Sequence, residues 1–482
     1  MTSRPNILFI TLDQFRGDSL SCAGHPLVRT PHLDALAASG VRLARHYSQA
    51  APCAPGRASL YTGMYQMNHR VVANGTPLDA RFDNVAHLAR RAGYEPALFG
   101  YTDQGVVPRT VTDRDDPRLS TYEEKLPGFD WALHLAEAHV PWLAWLTSLG
   151  YNVDDPIRAL ATEPERPEEL SVSTFLTDHF LRWLDRRSGP WFAHLAYLRP
   201  HPPFAAAGRY SQMYDPADCP SALPVAKEPH PMLALALVDR RSAAPADPAQ
   251  LAALRAQYYG MISEVDAQFG RIRQRLEADG AWDDTVVVVT ADHAEQLGDH
   301  GLMGKLGFYE SSFHVLGIVR DPQRPEGHGT VVDRFTENVD VVPTLCDIMG
   351  LPAPSQCDGY SLEPYLRAVD PPGWRDAAHY EFDWRDELIR HDPDRWAHDR
   401  RLERCHLAVR RSHDRAYVHF GDGSWRCFDL AADPGWGIET TDPVVVLPEA
   451  QALLTWRGEH LDRTLTGMLL ERGGIGRWPG RV

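Results

Sequence analysis

Four short apolar runs stand out along the chain, and each is followed directly by polar residues. The runs cover Asn6 to Leu12, Pro96 to Gly100, Trp191 to Leu198 and Thr285 to Thr290. An unbroken apolar run of this length is typical of a strand that is buried on both faces of a parallel sheet. Because helical patterns lie between the runs, the sequence predicts an α/β fold, with a mostly parallel sheet sandwiched by helices.

Helical patterns and a change in composition indicate how the rest of the chain is organised. Helices are predicted over residues 30–40, 84–93, 173–187, 248–279 and 341–349. Beyond a proline-rich stretch near residue 370, short alternating runs predict antiparallel strands at 407–411, 416–420 and 425–430, and then a helix over 448–465. We therefore expect a larger domain over 1–370 and a smaller C-terminal α+β domain over 371–482. Residues 104–170 lack periodicity and are predicted to form an insertion that shapes the substrate site.

The polar residues that follow the four apolar runs are candidates for a functional site. They are Asp13 and Gln14, then Tyr101 and Asp103, then His201, and last Asp292 and His293. The carboxyl ends of parallel strands lie on one rim of the sheet, where open α/β proteins bind their ligands. Each group taken alone is about as compatible with a simple exit from a strand into a loop. Together they predict a metal-assisted site.

Cys53 opens a short helical pattern and is followed by Pro55 and Arg57. Proline suits the first turn of a helix, where its missing N–H would have no partner. The free N–H groups of that turn favour an anionic ligand, and Arg57 adds a planar fork of donors suited to sulfate or phosphate oxygens. Read alone, the motif is more often an ordinary helix start with a half-buried thiol.

A divalent metal ion could be held beside Cys53 by three side-chain oxygens and one imidazole, which come from Asp13, Gln14, Asp292 and His293. This donor set favours Mn²⁺ over Ca²⁺, Mg²⁺ or Zn²⁺. The ion would polarise both the nucleophile and an anionic ester. Donors to the ester oxygens, or a proton for the leaving group, would come from Lys305, His201, Tyr101 and Asn74.

The net charge and the cysteine pattern indicate which partners and which cellular location to expect. The chain has 482 residues and a net charge of −16, which disfavours a nucleic-acid partner. A local cluster of cations and metal can still hold an anionic substrate. The seven cysteines are widely spaced without a Cys-x-x-Cys pair, which favours a reducing, cytoplasmic location. No apolar stretch reaches membrane-spanning length, and the run that ends at Asp13 is too short for a signal peptide.

Taken together, these motifs resemble the type I sulfatases of the alkaline phosphatase superfamily. Within that family the pattern is most similar to the phosphonate monoester hydrolases, which also cleave phosphodiesters. The likeness spans nearly the whole chain and is carried by Asp13-Gln14, Cys53-x-Pro55-x-Arg57, Met67 to Arg70 with Asn74, Gly100 to Thr102, Arg199 to Phe204, Asp292-His293, Glu295 to His300, Gly304-Lys305, His379 to Glu381 and Asp462 to Thr466.

The resemblance implies an alkaline-phosphatase-like fold and a particular chemistry. In this family a separate formylglycine-generating enzyme reads Cys-x-Pro-x-Arg and converts the cysteine to formylglycine. One hydroxyl of the hydrated aldehyde attacks sulfur or phosphorus, and the other expels the product by re-forming the aldehyde. By this resemblance Cys53 is the nucleophile precursor and borders the metal, and Arg57 stabilises its alkoxide. The resemblance also implies a homo-oligomer, with a tetramer as the expected form.

Two residues depart from the family pattern. Asp103 stands where phosphonate monoester hydrolases have threonine and sulfatases have histidine. A carboxylate there would repel an anionic substrate unless it is protonated, paired or turned away. Ala294 replaces a usual glycine after His293. A sulfatase acting on aryl or alkyl sulfate esters is the second hypothesis, while a non-catalytic anion-binding protein and a phosphatase that uses unmodified Cys53 stay open.

Overall fold

A nine-stranded sheet forms the centre of the structure, a computed structural model that describes residues 4–136, 138–391, 404–461, 469–470 and 476–477. Its strands are β1 (Asn6–Leu12), β2 (Val41–Tyr47), β3 (Pro96–Gly100), β4 (Asp130–His134), β5 (Phe192–Tyr197), β6 (Thr285–Thr290), β7 (His314–Val315), β8 (Gly317–Arg320) and β9 (Thr330–Glu337). They lie in the order β4-β3-β5-β1-β6-β8-β2-β7, with β9 paired to β2. β7 and β8 run against their neighbours, and the other pairs are parallel.

Helices cover both faces of this sheet. They are α1 (Pro31–Ala38), α2 (Cys53–Thr62), α3 (Gln66–His69), α4 (Val85–Arg91), α5 (Val140–Ser148), α6 (Pro156–Ala161), α7 (Val172–Leu184), α8 (Pro231–Ala236), α9 (Pro248–Ala278), α10 (Val341–Met349), α11 (Glu363–Leu366), α12 (Arg385–His391) and α13 (Pro443–Leu461). Leu8 and Ile10 of β1 pack in a core with α1, α7 and α9, whereas Ile7 and Phe9 pack with α2, α4 and α10. β1 is therefore apolar on both faces, which explains its unbroken hydrophobic run.

A second, antiparallel sheet lies nearer the C-terminus and contains β10 (Ala377–Asp383), β11 (His406–Ser412), β12 (Arg415–Phe420) and β13 (Trp425–Asp429), in that order. A further short pair joins β14 (Leu469–Leu470) to β15 (Gly476–Arg477). The two main sheets confirm the predicted α/β fold with a smaller antiparallel sheet. Helix α13 begins at Pro443 rather than at the predicted Pro448. The end of that predicted helix and the motif from Asp462 to Thr466 lie outside the described residues.

Residues 104–170 contribute more to the main sheet than their weak periodicity indicates. β4 lies in this segment and pairs with β3 as the edge strand. Helices α5 and α6 follow it, and residues of α6 reach the site described below. The division of the chain at residue 370 stays a prediction. Among the helices of the described residues, none has both the length and the apolar character required to cross a membrane.

Candidate active site

The carboxyl ends of four parallel strands bring the predicted site residues to one rim of the main sheet. Asp13 follows β1, Tyr101 follows β3, His201 lies in the loop after β5, and Asp292 follows β6. These strands are neighbours in the order β3-β5-β1-β6. Residues far apart in sequence therefore meet, as the pattern of apolar runs predicts.

Cys53 is the first residue of α2, and its side chain is buried on this rim. The Nζ of Lys305 lies 3.0 Å from its Sγ, and the Nε2 of His293 lies 3.4 Å from it. Gly56 permits this placement, because a Cβ there would lie 2.4 Å from the carbonyl oxygen of Asp292. Helix α2 can thus approach the end of β6 closely enough to put Cys53 among the polar groups.

Arg57 lies one helical turn after Cys53 and is completely enclosed. Its Nη2 donates to Asp13 Oδ2 at 2.9 Å, and its Nε donates to Asp292 Oδ2 at 3.0 Å. Its Nη1 donates to the carbonyl of Tyr101 at 3.0 Å. The guanidinium therefore organises the carboxylates of the rim. This differs from the direct contact with an anionic ligand that the motif alone suggests.

Four buried residues could hold a metal ion, because their ligand atoms lie within 4.8 Å of one another: Asp13, Cys53, Asp292 and His293. Asp13 Oδ1 is buried and has no hydrogen-bond partner among the described residues, as expected of an atom that binds a cation. The Nδ1–H of His293 donates to the carbonyl of Ala294 at 3.0 Å, which leaves Nε2 for the cluster. Burial lowers the pKa of His293 to about 3, so its imidazole is neutral and can bind metal. The donor set thus fits a divalent cation.

The two carboxyl groups of the cluster have different pKa values, because their electrostatic surroundings differ. Burial acts to raise the pKa of Asp13, but nearby positive groups that include Lys305 and Arg57 hold it well below its ordinary value. Burial and the charge of Asp13 raise the pKa of Asp292 to about 6. Burial also raises the pKa of the Cys53 thiol well above its ordinary value, even though Lys305 acts in the opposite direction. A thiol in this setting is a poor source of thiolate.

Gln14 lies beside the cluster with its side chain held from two directions. Its Oε1 accepts from Lys305 Nζ at 2.8 Å, and its Nε2 donates to Glu295. Its backbone adopts the left-handed region at φ 70°. Glu295 also accepts from the backbone N–H groups of Leu297 and Gly304. Glu295 belongs to the run from Glu295 to His300 that carries the family resemblance, but no role was predicted for it from the sequence.

Asp103 is buried and lies with its Oδ2 3.1 Å from Arg57 Nε. Burial raises its pKa to about 7, and Arg57 acts against that shift. Two of the three arrangements that would relieve repulsion of an anionic substrate are therefore supported: pairing with Arg57, and protonation near neutral pH. The other departure from the family pattern is accommodated, since Ala294 is fully buried and its N–H donates to Ser312.

The three remaining predicted donors lie near the cluster, but each has a protein partner. Tyr101 donates from its hydroxyl to Asp13 Oδ2 at 2.6 Å. Asn74 accepts through Oδ1 from the N–H of Ala54 at 2.9 Å and so satisfies a free amide at the start of α2. The Nδ1–H of His201 donates to the carbonyl of Pro202 at 2.8 Å, so Nε2 is the ring nitrogen left for another partner.

A cavity of about 390 Å³ opens over Cys53. Its walls combine site residues with apolar groups from α6 and from the loop after β5, and its lining comprises Asp13, Cys53, Tyr101, Asp103, Tyr122, Glu123, His139, Ile157, Leu160, Leu198, His201, Pro202 and Pro203. The volume suits a small organic ester. His139 precedes α5 and gave no signal in the sequence.

A sequence profile of the sulfatase family matches residues 5–351, a range that contains Asp13, Cys53 and Asp292. The chain belongs to the sulfatase family. A second profile, described as N-sulphoglucosamine sulphohydrolase, C-terminal, matches residues 298–436. The family predicted from the Cys53 motif and the strand-end residues is confirmed.

Three relatives match this chain over nearly its whole length. The multifunctional alkaline phosphatase superfamily protein PehA of Trinickia caryophylli is 36% identical, over 96% of this chain and 97% of its own. The solved phosphonate monoester hydrolase of Agrobacterium radiobacter is 45% identical with a TM-score of 0.92, over 99% of this sulfatase-family chain and 100% of its own. The phosphonate monoester hydrolase from Silicibacter pomeroyi is 34% identical with a TM-score of 0.86, at 99% and 100% coverage.

Proposed function

We propose that this sulfatase-family chain hydrolyses phosphonate monoesters and phosphate diesters, with sulfate esters as additional substrates. The observation that carries the proposal is the base of the cavity, where Cys53 lies between Lys305 and His293 and beside the buried carboxylates. The choice of phosphorus substrates rests on likeness to the Agrobacterium radiobacter phosphonate monoester hydrolase, at 45% identity.

The proposed nucleophile is formylglycine made from Cys53 by a formylglycine-generating enzyme. The buried thiol with its raised pKa supports this over a thiolate. One hydroxyl of the aldehyde hydrate loses its proton and forms a bond to phosphorus, while the ester oxygen departs with its electron pair and takes up a proton. The second hydroxyl then loses its proton, the bond between carbon and the phosphoryl-bearing oxygen breaks, and the aldehyde returns.

We further propose that the site holds one divalent ion, with Mn²⁺ favoured. Its ligands would be Asp13, Gln14, Asp292, His293 and residue 53. A bound ion would supply Lewis-acid polarisation of the nucleophile and of an ester oxygen. Arg57 keeps the carboxylates in place, and Lys305 supplies positive charge next to residue 53. The Nδ2 of Asn74 is proposed to donate to the transferred group. The hydroxyl of Tyr101 is proposed to contact that group as well, and it would have to turn its proton away from Asp13 to donate to it.

His201 is proposed to protonate the leaving oxygen. Burial lowers the pKa of His201 to about 3, so its free form is neutral. A bound anionic ester favours the imidazolium form, because opposite charge stabilises it. Since Nδ1–H is committed to the carbonyl of Pro202, Nε2 is the atom that carries the transferable proton.

A sulfatase is the second candidate function. Two findings favour a sulfatase function. The sulfatase family profile matches residues 5–351. The arylsulfatase of Clostridium perfringens is 27% identical, over 78% of this chain and 81% of its own. Sulfate monoesters and phosphate diesters both present a tetrahedral centre with one negative charge. The same cluster therefore suits either reaction.

Location and assembly are part of the same proposal. The seven cysteines all lie among the described residues without forming a disulfide, which supports a reducing, cytoplasmic location. We also propose a homo-oligomer, with a tetramer as the expected form. Size-exclusion chromatography with light scattering tests the assembly.

A direct test compares kcat/KM for matched aryl phosphonate monoesters, phosphodiesters and sulfates, using one Mn²⁺-supplemented preparation. We expect the phosphorus esters to be preferred. A sulfate preference above about tenfold, on the order of 1.4 kcal/mol in transition-state binding, would reverse the ranking.

Mass spectrometry of the tryptic peptide of residues 46–57 identifies the nucleophile. Formylglycine at residue 53 is expected in active enzyme, and a free thiol in fully active enzyme would overturn that mechanism.

A further inference from the structure

A buried ion pair lies behind the cavity wall. Arg199 and Glu163 are both inaccessible to solvent or nearly so. Nε of Arg199 donates to Glu163 Oε2 at 3.1 Å, and Nη2 donates to the same oxygen. Glu163 follows α6, and Arg199 follows β5, so the pair joins two elements that line the cavity.

The guanidinium of Arg199 also holds the backbone of both walls. Its Nη1 donates to the carbonyls of His201 at 2.9 Å and Pro203 at 2.8 Å. Its Nη2 donates to the carbonyl of Leu160 on α6 at 3.3 Å. His201, Pro203 and Leu160 all line the cavity. One planar cation therefore fixes the spacing of the two walls.

Glu163 anchors this arrangement to the core of the molecule. Its second oxygen, Oε1, accepts from the N–H of Val172 at 2.8 Å, at the first residue of α7. A carboxylate is favoured at a helix N-terminus by the partial positive charge there. Helix α7 packs on the main sheet through Phe175 and Leu176. The cavity walls are thus tied to a rigid element.

The orientation of the His201 ring depends on the backbone that Arg199 holds. Nδ1–H of His201 donates to the carbonyl of Pro202, which lies between the two carbonyls bound by Arg199. A shift of this loop would therefore carry Nε2 with it. Proton transfer requires close alignment, so a small displacement of Nε2 would slow the step.

We propose that the Glu163–Arg199 ion pair is the positioning device that sets His201 Nε2 and the α6 wall relative to residue 53. This inference rests on the proposed function, in which His201 protonates the leaving oxygen. Neither Glu163 nor Arg199 contacts substrate, because both lie behind the lining residues. Arginine is required, since the short ammonium group of lysine cannot reach a carboxylate and three carbonyls in one plane.

The test measures how kcat/KM depends on the leaving group, using aryl phosphonate monoesters whose phenols range from strongly to weakly acidic. His201→Ala should steepen this dependence, because a poor leaving group needs the proton most. Arg199→Lys and Glu163→Gln should steepen it in the same direction. We expect a loss of about 100-fold on the poorest leaving group and little change on the best. Arg375→Lys is the matched control, since Arg375 is a buried partner of Asp340 elsewhere in the chain.

The outcomes separate the two ideas. If His201→Ala leaves the dependence unchanged, the assigned proton donor is wrong and the positioning inference falls with it. If His201→Ala steepens the dependence but the folded Arg199 and Glu163 variants lose activity equally on all esters, the positioning inference alone is overturned. Glu163→Gln keeps the size of the side chain and an acceptor for Val172, so it carries the test if Arg199→Lys does not fold.

Discussion

Each nitrogen of the Arg57 guanidinium is hydrogen-bonded inside the protein, to Asp13, Asp292 and the carbonyl of Tyr101. Removal of one partner of a buried ion pair leaves an uncompensated charge. In this site the unpaired groups would be the same carboxylates that are proposed to hold the metal ion. The residue therefore links stability to metal affinity.

Arg57→Lys tests that link. Lysine keeps the charge but loses the fork, which leaves buried acceptors without a hydrogen bond, so we expect destabilisation of about 1–3 kcal/mol and a loss of Mn²⁺ affinity. Denaturant unfolding and metal titration give the two quantities. Arg91→Lys is the control, because the pair of Arg91 with Asp83 is exposed and should change stability by less than about 1 kcal/mol. Unaltered Mn²⁺ affinity in Arg57→Lys would contradict the expected role.

Glu264 offers a pH-dependent test away from the cluster. It is a buried carboxyl on α9, and burial together with the charge of Glu163 raises its pKa from 4.5 to about 7. The folded state therefore binds this proton more tightly than the unfolded state does. Its ionisation costs stability progressively as the pH rises from about 4.5 to about 7, and the full cost is present above that range.

Glu264→Gln removes the ionisation. We expect the variant to gain about 1–3 kcal/mol relative to the native chain at pH 8, compared with their difference at pH 4.5. Urea unfolding of both proteins at the two pH values supplies the comparison. An equal difference at the two pH values would show that Glu264 does not titrate as described.

At the scale of elements, α2 depends on close approach to the end of β6. Gly56→Ala would place a Cβ 2.4 Å from the Asp292 carbonyl, so the helix must move away. We expect destabilisation of about 1–3 kcal/mol together with loss of activity, because Cys53 would leave the cluster. Ala58→Gly on the same helix controls for helix propensity. Full activity in Gly56→Ala would mean that the spacing between α2 and β6 is not critical.

Asn74 serves the start of α2 as well as its proposed contact with substrate. Asn74→Ala removes the acceptor for Ala54 N–H and should cost about 1 kcal/mol of stability as well as activity. Asn74→Asp keeps the acceptor but lacks the amide donor, so stability should be retained while kcat/KM falls. Thermal unfolding and kinetics on both variants separate these roles. If Asn74→Asp is fully active, Asn74 acts only as a cap.

The burial and length of each strand explain which parts of the fold could be predicted from the sequence. β1, β3, β5 and β6 are apolar on both faces, so their runs and the polar residues after them could be predicted. β7 has two residues, too few for a periodic pattern. β4 has mixed burial at the sheet edge and gave no clear signal. The pairing of Glu163 with Arg199 could not be predicted, because hydrophobic periodicity does not indicate which distant residues come into contact.

At the scale of the whole molecule, a bound ion would join the end of β1 to the end of β6 and α2. Any ligand that binds only the folded state raises its stability. We expect chelation to lower the melting temperature of the Mn²⁺-loaded protein by several degrees. Asp292→Asn should abolish most of this shift. Asp299→Asn should retain it, since Asp299 pairs with Arg16 and Arg255 outside the cluster. A chelation shift that persists in Asp292→Asn would rule out the assigned ligand.

The central position of β1 has a consequence for biosynthesis. This strand is synthesised before both of its neighbours, since β5 begins at Phe192 and β6 begins at Thr285. At about 5–20 residues per second, the nascent chain spends roughly 15–60 s with an apolar strand open on at least one side. N-terminal fragments that end before Thr285 should therefore aggregate or bind chaperones. Both edges of β1 are covered only after the residues of β6 have been made.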